Sequence, residues 1–190
     1  MELVVLSALL EAAETPDVAA ALDRVLSDCM DTHVFDLDLT TAEVGPCLAC
    51  GKCNEAGQCV LQDAMTEILP RIASCDCLVL ATPIVFGVHH PLMKKAVDRL
   101  MPLGGGLFTV RGGEMHHTPR YGKRFAMLGI GVLETGAVAG EDETFRDLIA
   151  RHAVNLACSR QAAVVLGSGD RTEDSERSIR SGLETLGVGR

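Results

Sequence analysis

The chain has 190 residues, 47% hydrophobic and 23% charged, which fits one folded domain spanning 1–190 and argues against disorder. Aromatics make up 3%, with no Trp and one Tyr, so stacking platforms for nucleic-acid bases are disfavoured. The formal charge is −9, and residues 1–60 carry all of it with 11 Asp or Glu against 2 Lys or Arg, a surface that repels phosphate backbones.

Glu2–Leu9 is a short apolar run without helical polarity and reads as a buried strand. No basic stretch precedes it, which argues against a secretory signal. Thr15-Pro16-Asp17 is a helix start, with a hydroxyl cap, proline in the first turn and an acid at the positive helix end. Val18, Leu22, Val25, Leu26 and Cys29 then mark one helical face. His33–Leu39 alternates and reads as a second strand. A cysteine-rich insertion follows over 40–62.

Asp63 opens another helix with Met65, Ile68, Leu69 and Ile72 on one face, and Pro70 is expected to kink it or end it early. Cys77–Thr82 is a third strand that ends at Pro83. Pro91 opens a helix with Leu92, Met93, Ala96, Val97, Leu100 and Met101 inward. Residues 102–123 read as an irregular Gly- and His-containing insertion. Its Gly104-Gly105-Gly106 lacks the strand–loop–helix setting of a nucleotide loop and implies flexibility. Arg124–Val132 is a fourth strand, and Gly140–Asp142 lead into a helix with Phe145, Leu148, Ile149, His152 and Leu156 inward. Gln161–Leu166 is the fifth strand, and a last helix runs from about Glu173 to Leu186.

Strands alternating with helices predict a parallel sheet covered on both faces. At this length the expected fold is a flavodoxin-like three-layer α/β sandwich with five parallel strands in the order 2-1-3-4-5. Ligands of such folds bind beyond the carboxyl ends of the strands. That singles out the loops Ser7–Thr15, Pro83–His90 and Gly131–Gly140.

Eight cysteines without an export signal read as metal ligands, redox thiols or small buried groups of a reducing, cytoplasmic compartment. Cys47, Cys50, Cys53 and Cys59 have the spacing C-x2-C-x2-C-x5-C, in which short gaps let successive thiolates converge. Four such thiolates can hold a [4Fe–4S] cluster or one zinc ion, and the consecutive two-residue gaps favour the cluster. Cys29, Cys75, Cys77 and Cys158 fall on core elements and read as small hydrophobes. The adjacent pairs His89-His90 and His116-His117 are poorly spaced for a metal, and His152 reads as a core histidine.

Cys47–Cys59, the following Asp63–Ile68, the stretch Ala81-Thr82-Pro83-Ile84-Val85-Phe86-Gly87 and the helix ending Asp98-Arg99 together resemble the iron–sulfur flavoprotein family, within the wider NADPH-dependent FMN reductase group. The late Gly140–Thr144 helix start is also similar to that group. The resemblance implies FMN, a [4Fe–4S] cluster held by Cys47, Cys50, Cys53 and Cys59, and homodimers or homotetramers. It also implies Thr82, Pro83, Ile84, Val85, Phe86 and Gly87 beside the flavin ring. Gly131, Val132, Leu133 and Glu134 would close the other side, with Ser7 and Thr15 at the phosphate. The chain departs from the family in its first loop, where the usual Gly and Arg are absent and Glu11 and Glu14 appear, and at Val85, where an aromatic is usual.

Two functions follow. The first is an electron-transfer oxidoreductase coupling FMN to the cluster, with NAD(P)H or a ferredoxin-type protein as redox partner and no nucleic-acid or membrane partner. The second is a flavin-free interaction module whose cysteine loop is tied by zinc or an iron–sulfur cluster.

Overall fold

The computed structural model describes residues 1–9, 16–29 and 32–188. Thr15, expected at the phosphate, lies outside the described residues. The apolar runs at Glu2–Ser7 (β1), Cys77–Val85 (β3), Ala126–Leu133 (β7) and Gln161–Gly167 (β8), with the alternating His33–Asp38 (β2), form the parallel sheet. Its order is β2-β1-β3-β7-β8. This is the flavodoxin-like 2-1-3-4-5 arrangement when the five parallel strands are counted alone.

Successive strand residues point to opposite faces, and each face has its own core. Val4, Leu6, Leu78, Leu80 and Met127 pack beneath α3 (Met65–Ser74), α4 (Pro91–Asp98) and α5 (Glu141–Asn155). Leu3, Val5, Val79, Leu128 and Ile130 pack beneath α1 (Pro16–Ser27) and α6 (Thr172–Thr185). No helix among the described residues is long and apolar enough to cross a membrane.

Several expectations need correction. Of the two outcomes expected at Pro70, an early end does not occur, since α3 runs on to Ser74. Proline removes the hydrogen bond to the carbonyl four residues back, which belongs to Thr66, and both residues are exposed, so water can satisfy that carbonyl. β3 does not stop at Pro83. The Ala8 N–H donates to the Ala81 carbonyl at 2.8 Å and the His90 N–H to the Pro83 carbonyl at 3.2 Å. Residue 83 thus directs its main chain to the flank that β1 has already left, where a missing N–H breaks no ladder. That flank is taken by the short strand β4 (Val88–His89), antiparallel to β3.

The stretch 102–123 is not irregular. After a short 3-10 turn at Met101–Leu103 it forms an antiparallel ribbon of β5 (Gly104–Arg111) and β6 (Glu114–Pro119). The three-glycine run absorbs a register shift in that ribbon instead of forming a flexible segment. Met101, expected inward, is 42% exposed because α4 ends at Asp98.

Candidate functional site

The carboxyl ends of β1, β3 and β7 converge on one edge. Ser7 ends β1, half-buried, and its Oγ lies 3.5 Å from the Leu9 N–H. Thr82 is wholly buried. Its hydroxyl donates to the Pro83 carbonyl at 3.0 Å and accepts from the His90 N–H at 3.1 Å, so it staples the two ends of the β3–β4 turn. Pro83 and Ile84 are buried, Ile84 in the core under α5, and Val85 is half-buried.

The turn itself is Phe86-Gly87, at φ 51° and 78°. Phe86 is 88% exposed, and Gly87 is packed against Thr144 at the start of α5. On β7, Gly131 and Val132 are buried, Leu133 is half-buried and Glu134 is exposed. Val132 sends its side chain into the core under α1 and α6, so what it offers at the edge is main chain. Beyond it, Val138 is 66% exposed in the loop before α5. Phe86 and Val138 give this edge an apolar rim.

The cysteine loop leaves the sheet beyond β2. Ala49 and Gly51 take left-handed backbone, at φ 50° and 71°, and a short helix, α2 (Lys52–Ala56), carries Cys53. Cys47 and Cys50 are exposed, and Cys53 and Cys59 are half-buried. All four line one cleft of about 890 Å³, closed on the other side by Phe108 and Met115 of the β5–β6 ribbon and His152 and Leu156 of α5. Burial pushes the Cys53 thiol above its ordinary pKa, and the other three cysteines of the loop push it the same way. Among the described residues no three His, Cys, Asp or Glu side chains close on a single metal point. The four sulfurs therefore share a cleft without meeting at a centre.

Both ends of this loop are pinned by a buried ion pair. Asp63 accepts from Arg99 at 2.7 and 3.1 Å, and from the Gly45 and Met65 N–H groups at 3.0 Å each. Arg99 also donates to the Gly45 carbonyl at 3.0 Å. Burial alone would raise the Asp63 pKa, but the Arg99 and main-chain hydrogen bonds outweigh it and leave it lowered. On the other side Arg120 donates to the carbonyls of Cys53 (3.1 Å), Asn54 (2.7 Å) and Pro102 (3.0 Å).

Neither arginine was assigned a role by sequence reasoning. The Asp98-Arg99 helix end was part of the family resemblance, but its partner Asp63 sits 36 residues earlier, and spacing carries no sign of the pair. His152, expected in the core, is half-buried in the wall of the cleft and has a partner the sequence did not reveal, His89 at 3.0 Å. Cys75 and Cys77 are buried and Cys158 half-buried, and burial pushes all three thiols to about 12, as inert packing groups.

The profile of a family described as NADPH-dependent FMN reductase matches residues 1–165. An iron–sulfur flavoprotein of Methanocaldococcus jannaschii is 31% identical over 86 residues, 45% of this chain and 44% of that protein. An iron–sulfur flavoprotein of Methanosarcina thermophila is 34% identical over 73 residues, 38% of each. These matches span less than half of the curated relatives' length. Among solved structures, an NAD(P)H:quinone oxidoreductase from Methanothermobacter marburgensis superimposes with a TM-score of 0.68 at 17% identity, covering 95% of this chain and 98% of that one.

Proposed function

The chain belongs to the NADPH-dependent FMN reductase family, and from that membership we propose an FMN-dependent electron-transfer oxidoreductase that couples the flavin to a [4Fe–4S] cluster. The observation that carries the reading is the cleft that all four cysteines of the C-x2-C-x2-C-x5-C loop line together. Beneath one end of that loop Arg99 is 1% exposed, and its Nε has no hydrogen-bond partner.

FMN exchanges two electrons or one and the cluster one at a time, so together they connect hydride to single-electron chemistry. Within this reading Cys47, Cys50, Cys53 and Cys59 hold the cluster. Arg99 and Asp63 fix the two ends of their loop, and Arg120 fixes its short helix. At the flavin edge Thr82 holds the Pro83–His90 turn in shape, so that Phe86 and Gly87 present a fixed apolar surface to a ring. Main-chain groups of Ile84, Val85, Gly131, Val132 and Leu133 border the ring, with Glu134 at the solvent side. Ser7 supplies a hydroxyl toward the phosphate, and Thr15, outside the described residues, is proposed to supply a second. Redox partners are NAD(P)H or a ferredoxin-type protein, and the working form is a homodimer or homotetramer. Eight free cysteines suit a reducing cytoplasm.

One anaerobic absorbance spectrum, with iron, zinc and flavin assayed on the same sample, tests this. A broad brown absorption bleached by dithionite, together with flavin bands, is the expected result, and Cys53→Ala is expected to abolish the brown component. A colourless protein with stoichiometric zinc overturns it in favour of a flavin-free, zinc-tied interaction module.

A further inference from the structure

We propose that the hollow between the tip of the β5–β6 ribbon and the end of α5 is a binding site for a diphosphate group, free or carried by a nucleotide, held by Arg111, Arg124 and Arg151. The site goes beyond the electron-transfer reading and uses neither the flavin edge nor the cysteine loop.

The ribbon turns at Gly112-Gly113, which sets Arg111 directly opposite Glu114 in the register. Residues paired in this way project from the same face. α5 brings Arg151 to the Glu114 carboxylate, and the two form an ion pair. Arg124, in the approach to β7, completes the wall with Ser159 and Gln161, where β8 begins. Arg160 borders the hollow as well, with its guanidinium packed against Gly187. The hollow measures about 550 Å³, and Ala150, Ala153 and Val154 of α5 give it an apolar floor. It lies at the amino ends of β7 and β8, the end of the sheet remote from the flavin edge, so the phosphate of FMN does not account for it.

The charges of the lining do not balance. Among the described residues neither Arg111 nor Arg124 has a carboxylate partner. Arg124 is exposed, and Arg111 donates to the His117 carbonyl at 3.2 Å while its Nε is buried without an acceptor. The carboxyl end of α5 adds about half a negative charge to that of Glu114, which together offset about half of the three guanidiniums. Cations gather at helix carboxyl ends for that reason, but among the described residues none of the three donates to a carbonyl of α5. Like charges in one hollow repel one another, and an anion removes the excess. Guanidinium forks match phosphate oxygens in pairs, and two linked phosphates present oxygens enough for three forks. Glu114 competes with such a ligand for Arg151. A clamp that only fastens the ribbon to α5 predicts that loss of Glu114 weakens whatever depends on it. An anion site predicts that loss of Glu114 improves binding.

Titration calorimetry on the full chain tests this, with inorganic pyrophosphate, ADP and a short oligoglutamate as probes and the melting temperature recorded for every variant. Pyrophosphate or ADP is expected to bind, and more weakly as salt is raised. Tighter binding of ADP identifies a nucleotide as the carrier, and equal or weaker binding identifies the free diphosphate. Arg111→Gln and Arg124→Gln are each expected to weaken binding about tenfold, the loss of one charge-assisted contact, and Glu114→Gln to tighten it several-fold. Arg24→Gln on α1, at the far face of the sheet, removes the same charge and is expected to change nothing. Should Arg111→Gln disturb the ribbon, Arg124→Gln, at an exposed position, carries the comparison. Failure of both phosphate probes to bind overturns the proposal, as does unchanged binding in Arg111→Gln and Arg124→Gln, equal weakening in Arg24→Gln, or weakening in Glu114→Gln. Binding of oligoglutamate alone overturns it in favour of a docking patch for an acidic protein.

Discussion

His89 of β4 and His152 of α5 meet Nε2 to Nε2 at 3.0 Å, with rings 10° from parallel, inside the core that joins the β3–β4 turn to α5. His89 Nδ1 is buried and has no partner. The arrangement that leaves no buried N–H orphaned has His89 donating through Nε2 to the Nε2 lone pair of His152. A proton added at His89 Nδ1 would then meet no acceptor. Burial accordingly lowers His89 to about 3, and the positive charges of His152 and Lys94 act in the same direction. Burial also lowers His152, followed by Lys94, against an opposing influence from Asp98.

The unfolded chain therefore binds protons that the folded chain refuses. Stability is complete above the ordinary histidine value of 6.5 and is lost as pH falls from there toward about 3. Each pH unit below the ordinary value costs about 1.4 kcal/mol for His89. Urea unfolding at about pH 7.5 and about pH 5.5 is expected to show at least that loss, and His89→Leu to flatten most of it. Equal wild-type stability at the two pH values would show that His89 takes up protons freely in the fold.

Thr82→Val keeps the volume of the side chain and deletes the hydroxyl between the His90 N–H and the Pro83 carbonyl. The His90 N–H then keeps only its 3.2 Å bond to the Pro83 carbonyl, and loss of the hydroxyl that shared it costs about 0.5–1.5 kcal/mol. The loss is expected in denaturant unfolding of the flavin-free protein, where a residue acting only on the flavin would register nothing.

Gly131 makes a similar distinction. A Cβ there would lie 2.7 Å from Ile84 Cδ1 and from Phe145 Cε1, so β7 needs glycine at that position to let α5 seat on the sheet. Gly131→Ala is expected to destabilise the chain by about 1–3 kcal/mol through overpacking, with or without FMN. A chain as stable as wild type would mean that the α5 seat gives way readily.

The alternation of strands and helices was legible because the sheet interior demands apolar runs such as Val4–Leu6 and Leu78–Ala81, and no polar sequence mimics them. The β5–β6 ribbon was legible too, but was missed. Gly112-Gly113 stand between two extended stretches and take φ 58° and 85°, the positive values that a two-residue hairpin turn needs. The preceding glycine run drew attention to flexibility instead. Other features were beyond reach in principle. His89 and His152 are 63 residues apart, and Asp63 and Arg99 36 apart. Only the sheet order brings α5 over the β3–β4 turn and α4 over the cysteine loop. The cysteines were legible as a set of four because their spacing is local, whereas the ion pair that pins both ends of their loop was not.

Arg120 ties the ribbon to the cysteine loop. It follows β6 and donates to the carbonyls of Cys53 and Asn54, in the last turn of a helix only five residues long. A helix that short has little stability of its own, so three charge-assisted donations, including the one to Pro102, hold much of its geometry. Arg120→Ala is expected to raise hydrogen exchange across residues 46–62 and to shorten the lifetime of bound iron under a chelator several-fold, while the melting of the sheet changes little. Arg120→Lys is expected to recover part of the effect, since one ammonium reaches fewer carbonyls than a fork. Unchanged exchange in the loop of Arg120→Ala would mean that the loop is held by Arg99 and Asp63 alone.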